Sequence, residues 1–194
     1  MNDSRNELSF SDKENDTRNL VDKYKGMSNE DIVADLDKTR IPIEIAIENL
    51  AHDFNIGTIV RNANAFNVSR VHIIGKRKYN RRGAMVTDKY LHIDHFLTVD
   101  DFVVDAKKRG MLIVAVDNNR PEAKALTKTH IEPNSILVFG SESDGISQEL
   151  LDKSDQVFYI EQLGSTRSIN VGCASAVALY EAVRRLALFP EQNA

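Results

Sequence analysis

Three short, nearly continuous apolar runs constrain this chain more than any other feature: RVHIIG at 70–75, MLIVAV at 111–116 and SILVFG at 135–140. Each has the length of one strand and falls far short of the roughly 18 apolar residues of a membrane span. A strand that is apolar on both sides must be covered on both sides, as inner strands of a parallel sheet are. Further strand-like stretches lie at 41–47 (IPIEIAI), 94–98 and 156–160, and periodicity predicts helices over 56–66, 100–109 and 170–188. Ser28 followed by Asp31 reads as the cap of a short helix running to about Lys38. Strand–helix alternation of this kind specifies an α/β fold, a mostly parallel sheet with helices on both faces.

A length of 194 residues suits one domain with a proper core. Residues 1–18 are polar, mixed in charge and aperiodic, which reads as a disordered tail. The expected division is therefore a polar tail and short helix over 1–40 and the α/β domain over 41–190. The N-terminus lacks the apolar core of a secretory signal. The one cysteine, Cys173, excludes an internal disulfide and a cysteine-based zinc site, and the five histidines are scattered, so no metal is expected. Together these features point to a cytoplasmic chain with no membrane partner.

Net charge is −4, yet residues 70–82 hold six basic side chains (Arg70, Lys76, Arg77, Lys78, Arg81, Arg82) and no acid. Such a run is either a solvated loop after a strand or a phosphate-facing patch. The first 40 residues are net acidic, with seven basic and ten acidic side chains, unlike an RNA-grasping arm.

Three stretches join glycines to polar side chains. HDFNIGTIVRNANAFNV (52–68) has a helical apolar face of Ile56, Ile59, Val60, Ala63 and Phe66, but also Asn55, Gly57 and Arg61 near its start. LVFGSESDGIS (137–147) runs from a strand into Gly140, Glu142 and Gly145; it lacks the ending of a Walker A loop, and the chain holds no GxGxxG fingerprint. IEQLGSTRSINVGCASA (160–176) leaves a strand and enters an alanine-rich helix. There Ser168 reads as the helix cap, and Asn170, just inside the first turn, is a mediocre helix former. Small residues on the stripe Val171, Ala174, Ala178, Ala182 and Leu186 would allow close approach to a sheet or a second helix.

Taken in order, N-x-G-x-x-x-R on a helix, G-x-E-x-x-G after a strand and S-I-N-V opening the last helix resemble the SpoU/TrmH family of the SPOUT superfamily, over residues 41 to 188. The connecting RRGAMVTDKYLHIDHF (81–96) resembles the family's segment between its first two motifs. The resemblance implies a methyltransferase that uses S-adenosylmethionine to methylate a ribose 2′-hydroxyl of tRNA or rRNA. It also implies a homodimer built on the first-motif and C-terminal helices, and a deep C-terminal trefoil knot over loops 138–146 and 160–172. Topology rules alone would not select a knot.

By the same resemblance, Asn55, Arg61, Glu142, Ser168 and Asn170 match the family's active-site positions. Gly140, Gly145, Ile160, Leu163 and Ile169 would line the cofactor. RNA would meet Arg61, Lys76, Arg81 and Arg82. Asn67 stands where many members have glycine, and Asn tolerates the left-handed region. Glu161 replaces a usual proline, which alters the charge or course of the third loop. The wording GSTRSIN (164–170) resembles the tRNA guanosine variants of the family more than its shortest members.

Three other readings compete. A pyrimidine methylase would need Cys173 as nucleophile, although that residue reads as a small packing side chain. A non-catalytic RNA-binding module of the same fold would dispense with the active-site residues, all of which are present. A nucleotide hydrolase would need a phosphate-binding lysine and metal-binding carboxylates that the Gly140–Gly145 loop does not supply.

Overall fold

A computed structural model describes residues 19–49, 55–76, 81–118, 120–141 and 144–192, the side chains of Arg81 and Arg82 excepted. The seven strands among them are β1 (Ile41–Asn49), β2 (Val68–Gly75), β3 (Ile93–Phe96), β4 (Leu112–Val116), β5 (Lys124–Ala125), β6 (Ser135–Phe139) and β7 (Gln156–Tyr159). They form one sheet in the order β3-β2-β1-β6-β4-β7-β5, and every pairing is parallel. The helices are α1 (Asn29–Asp37), α2 (Asn55–Ala65), α3 (Val99–Lys108), α4 (Gln148–Asp152) and α5 (Val171–Val183). The expected α/β class is thus the observed one, with strand positions close to those read from the apolar runs.

Each face of the sheet carries two helices. On one, α2 and α5 bury Ile56, Ile59, Val60, Ala63, Ala178, Leu179 and Ala182 against Ile43, Ile45 and Ile47 of β1 and Leu137 and Phe139 of β6. On the other, Phe102, Val103 and Ala106 of α3 and Leu150 of α4 cover Ala46, Ile113, Ile136 and Val138. Ser28 caps α1, its hydroxyl accepting from the Asp31 amide at 3.1 Å. Ile32 of that helix joins Tyr24 and Tyr90 in a small separate core, so residues 19–40 are docked on the domain. Buried Arg40 secures them by donating to the carbonyls of Val68 and Tyr90, each at 3.1 Å. Asn67 adopts a left-handed φ of 50° and, unlike glycine, also donates to the Leu36 carbonyl at 3.2 Å.

Two helical features differ from the sequence reading. The buried stripe of α5 runs through Gly172, Ser175, Ala178, Leu179 and Ala182; it keeps Ala178 and Ala182 of the inferred stripe, while Val171 and Leu186 pack at its margin. The helix also stops at Val183, and Arg184–Leu188 continue as a wider π turn. Arg185 is buried there. Its guanidinium donates to the carbonyls of Thr127 at 2.8 Å, Leu126 at 3.2 Å and Thr129, and to Glu181 at 2.6 Å. Helical periodicity does not report a turn widened around one buried cation.

Alternation in IPIEIAI does not mark a wet face, because β1 is covered on both sides. Glu44 is 6% exposed and Glu48 2%. The Glu48 carboxylate accepts from the Ser147 amide at 2.7 Å, tying down the start of α4. Glu44 accepts from His72 at 2.6 Å, and its two oxygens both accept from Arg109 Nη1, at 2.7 and 2.9 Å. Arg70 pairs with Asp94 beside them at 2.7 Å.

Burial alone would raise the Glu44 carboxyl, but hydrogen bonds and charge from His72 and Arg109 outweigh it and hold the pKa down to about 2. A pKa depressed on folding gives stability that is present above the ordinary carboxylate value and lost as pH falls toward the folded one. Thermal stability should therefore decline between pH about 4.5 and about 2. Glu44→Gln should cost about 3 kcal/mol near neutral pH, from a buried pair losing one partner. Melting curves across pH should show the acid decline flattened in the variant; an unchanged profile would assign the acid sensitivity elsewhere.

Candidate active site

The C-terminal ends of β4, β6 and β7 open on a cleft of about 480 Å³. After β4 it is lined by Asp117 and Asn118, after β6 by Gly140, Ser141, Asp144 and Gly145, and after β7 by Ile160, Gln162 and residues 167–170. The chain lays β1, β2 and β3 toward one edge, then crosses to β4 on the far side of β6. Such a switch in strand order is where open α/β sheets hold ligands.

The loop after β6 closes on itself. Ser141 and Gly145 exchange both backbone hydrogen bonds at 3.0 Å, and Gly145 has a φ of 69°. A Cβ at position 140 would stand 2.0 Å from the carbonyl carbon of Gly145, so only glycine fits. Glu142 lies outside the described residues.

Asn170, rather than Ser168, caps α5. Its side-chain oxygen accepts from the amides of Gly172 at 2.9 Å and Cys173 at 3.3 Å. Extended backbone at Asn170 (φ −53°, ψ 136°) puts the first helical residue at Val171, so the side chain two places earlier has no amide to cap. Ser168 instead lines the cleft. The other end of the Asn170 amide donates to Asn55 Oδ1 at 2.9 Å, so the first and third motifs touch at the mouth of the cleft. Arg61, two turns along α2, is exposed, and its guanidinium donates to Asn19 at 3.4 Å.

Of the expected lining residues, Gly140, Gly145, Ile160 and Ile169 face the cleft, whereas Leu163 is outside it and fully exposed. Glu161 also stands outside, accepting from the Thr127 hydroxyl. Burial opposes its charge, but that bond and neighbouring donors keep its carboxyl below the usual range. Cys173 is exposed on α5 rather than packed, since the buried stripe lies on the opposite side of the helix.

Arg70 leaves the basic run, because its guanidinium is held by Asp94 and lies beside Glu44. Lys76 remains exposed at the end of β2, and Arg81 and Arg82 belong to a 3-10 turn, Arg81–Ala84. Arg77 and Lys78 lie outside the described residues. That turn packs on the first turn of α2. A Cβ on Gly83 would come 2.9 Å from the Thr58 amide nitrogen.

Two positioning groups escaped the sequence reading. Asn62 donates to the Gly172 carbonyl and to the Ser175 hydroxyl, each at 2.9 Å, locking α2 to α5 beneath the site. Asn118 donates to the Arg167 carbonyl at 2.8 Å and holds the last loop over the cleft. Asn62 carries a readable signal of its own, an asparagine inside a helix beside the buried apolar residues Ile59, Val60 and Ala63.

The SpoU rRNA Methylase family matches residues 42–180. The tRNA (guanosine(18)-2'-O)-methyltransferase of Escherichia coli K12 is 32% identical over 148 residues, covering 74% of this chain and 63% of that protein. The 23S rRNA (guanosine-2'-O-)-methyltransferase RlmB of Bordetella pertussis is 28% identical over 149 residues, covering 73% of this chain and 59% of that one. The chain thus spans about 63% and 59% of the length of these two relatives. In fold it resembles the Aquifex aeolicus TrmH/SpoU tRNA modifying enzyme, with a TM-score of 0.72, 24% identity and 85% of each chain covered. With three motifs in family order meeting at one cleft, and a family match across most of its length, this chain belongs to the SpoU rRNA methylase family.

Proposed function

We propose that this chain transfers the methyl group of S-adenosylmethionine to a ribose 2′-hydroxyl of RNA, with tRNA favoured over rRNA. The observation that carries this reading is the Asn55–Asn170 hydrogen bond of 2.9 Å, which fixes the helix bearing Arg61 at the mouth of the cleft. Family membership supports the chemistry, and the tRNA-modifying names of several relatives support the substrate.

The cleft fits such a cofactor. Its volume of about 480 Å³ is ordinary for a small-molecule site, and its wall after β6 is the closed loop of Gly140, Ser141 and Gly145. Gly140, Gly145, Ile160 and Ile169 would hold the cofactor, with Ser168 and Glu142 orienting the reacting groups. Bound there, S-adenosylmethionine supplies an electrophilic methyl carbon. The chain's own contribution is placement of the nucleophile and stabilisation of its charge. A guanidinium carries only hydrogen-bond donors and no acceptor, so Arg61 is not the base. It holds the phosphate beside the acceptor ribose and stabilises negative charge developing on the 2′-oxygen.

We also infer a homodimer, supported by exposed Val177 and Tyr180 on α5 beside a groove lined by Phe66, Leu126 and Ala176. A trefoil knot over the two cleft loops is supported by the fold likeness to the Aquifex aeolicus enzyme. A cytoplasmic setting follows from an RNA substrate. Among the described residues no helix is long and apolar enough to cross a membrane.

Labelled S-adenosylmethionine should transfer methyl to unmodified bulk tRNA. Arg61→Ala should abolish transfer and Arg61→Lys should slow it about 100-fold, as loss of an oriented charge-stabilising group does. Cofactor binding without transfer to either tRNA or rRNA would favour the non-catalytic RNA-binding alternative, and near-normal turnover in Arg61→Lys would remove the fork geometry from the mechanism. Replacing Arg81 and Arg82 together by Ala should weaken RNA binding at all sequences and reduce the slope of log K against log salt by about 1.5, two phosphate contacts' worth.

A further inference from the structure

Helix α2 presents Asn55, Thr58 and Arg61 on one stripe, spaced by three residues. Thr58 lies between the two active-site matches and is exposed. Glycines flank it on both sides. A Cβ on Gly172 would stand 2.9 Å from the Thr58 methyl carbon and 3.2 Å from its Cβ. On the other side, a Cβ on Gly83 would stand 2.9 Å from the Thr58 amide nitrogen and 3.0 Å from the Gly57 carbonyl carbon. The methyl thus rests on α5, and the turn carrying Arg81 and Arg82 rests on the backbone. A β-branched side chain with its methyl engaged has one χ1 setting, which also directs its hydroxyl.

We propose that the Thr58 hydroxyl is a further substrate-contacting group, donating a hydrogen bond to the ribose–phosphate backbone of the acceptor nucleotide. This rests on the RNA methyltransferase reading. The partner chemistry follows from the surroundings: Arg61 lies one turn further along the same stripe, and the turn bearing Arg81 and Arg82 borders it. An anionic backbone crossing from that turn to Arg61 passes over Thr58. The contact is sequence-independent, as backbone contacts are.

The test uses the full chain with Thr58→Val, which keeps the branched shape and the methyl on Gly172 but lacks the hydroxyl, and Thr58→Ser, which does the reverse. Methyl transfer to tRNA, S-adenosylmethionine affinity by calorimetry, melting temperature and mass by light scattering are measured on each. For Thr58→Val, kcat/KM for tRNA should fall at least about 10-fold, the effect of losing a hydrogen bond to a charged acceptor. Its cofactor affinity, mass and melting temperature should stay at wild-type values. Thr58→Ser should retain most of the activity. Wild-type kcat/KM in Thr58→Val overturns the proposal while leaving the methyltransferase reading intact. Reduced mass in that variant also overturns it, by assigning Thr58 to a protein interface. Absence of transfer by the wild-type chain removes the underlying reading, and the proposal with it.

Discussion

The site depends on how closely the N-termini of two helices can approach. Helices α2 and α5 lie on the same face of the sheet, and where they meet there is room for the Thr58 side chain of α2 only because α5 presents a glycine. Gly172 lies against the Thr58 side chain, and Gly83 lies against the backbone of Gly57 and Thr58. Lack of a Cβ at both glycines is what permits these contacts. The gap is then bridged by one amide, Asn170, whose oxygen caps α5 and whose nitrogen reaches Asn55. Helix capping and site assembly are therefore one interaction, which explains why an asparagine with modest helix propensity opens the last helix.

Rigid support comes from the sheet beneath. Two carboxylates on β1 are buried, a costly arrangement unless each is paired. Glu44 is paired with His72 and Arg109, and Glu48 receives the Ser147 amide. The second contact bears on the site, because Ser147 begins α4 just beyond the glycine loop that walls the cleft. Buried guanidiniums act similarly toward the two ends of the described chain. Arg40 ties residues 19–40 to β2, and Arg185 ties the end of α5 to residues 126–129.

Much of the frame was legible because burial on both sides leaves a mark on every residue of a strand. The runs at 111–116 and 135–140 became β4 and β6 within one residue at each end. Errors fell where one side chain had two plausible partners. Ser168 and Asn170 both suit a cap, and only the backbone dihedrals at Asn170 choose between them. Arg70 counts toward a basic run in the sequence, but its guanidinium is held by Asp94 at the edge of the Glu44 network. Glu161 reads in the sequence as a charge near the third loop, but its hydrogen bond with Thr127 turns it toward another element.

By itself, the sequence determined the class of sheet, the positions of its inner strands and the identity of three polar loops, because apolar runs and glycine placement are local properties. It also carried the order of those loops, which is sufficient to identify the family. Tertiary structure alone decided which polar residues act together. Asn55 and Asn170 are 115 positions apart, Asn62 and Ser175 are 113, and Glu44 and Arg109 are 65. Hydrogen bonds of under 3 Å between such residues depend on strand order and helix approach, and neither is encoded in any window short enough to read by periodicity.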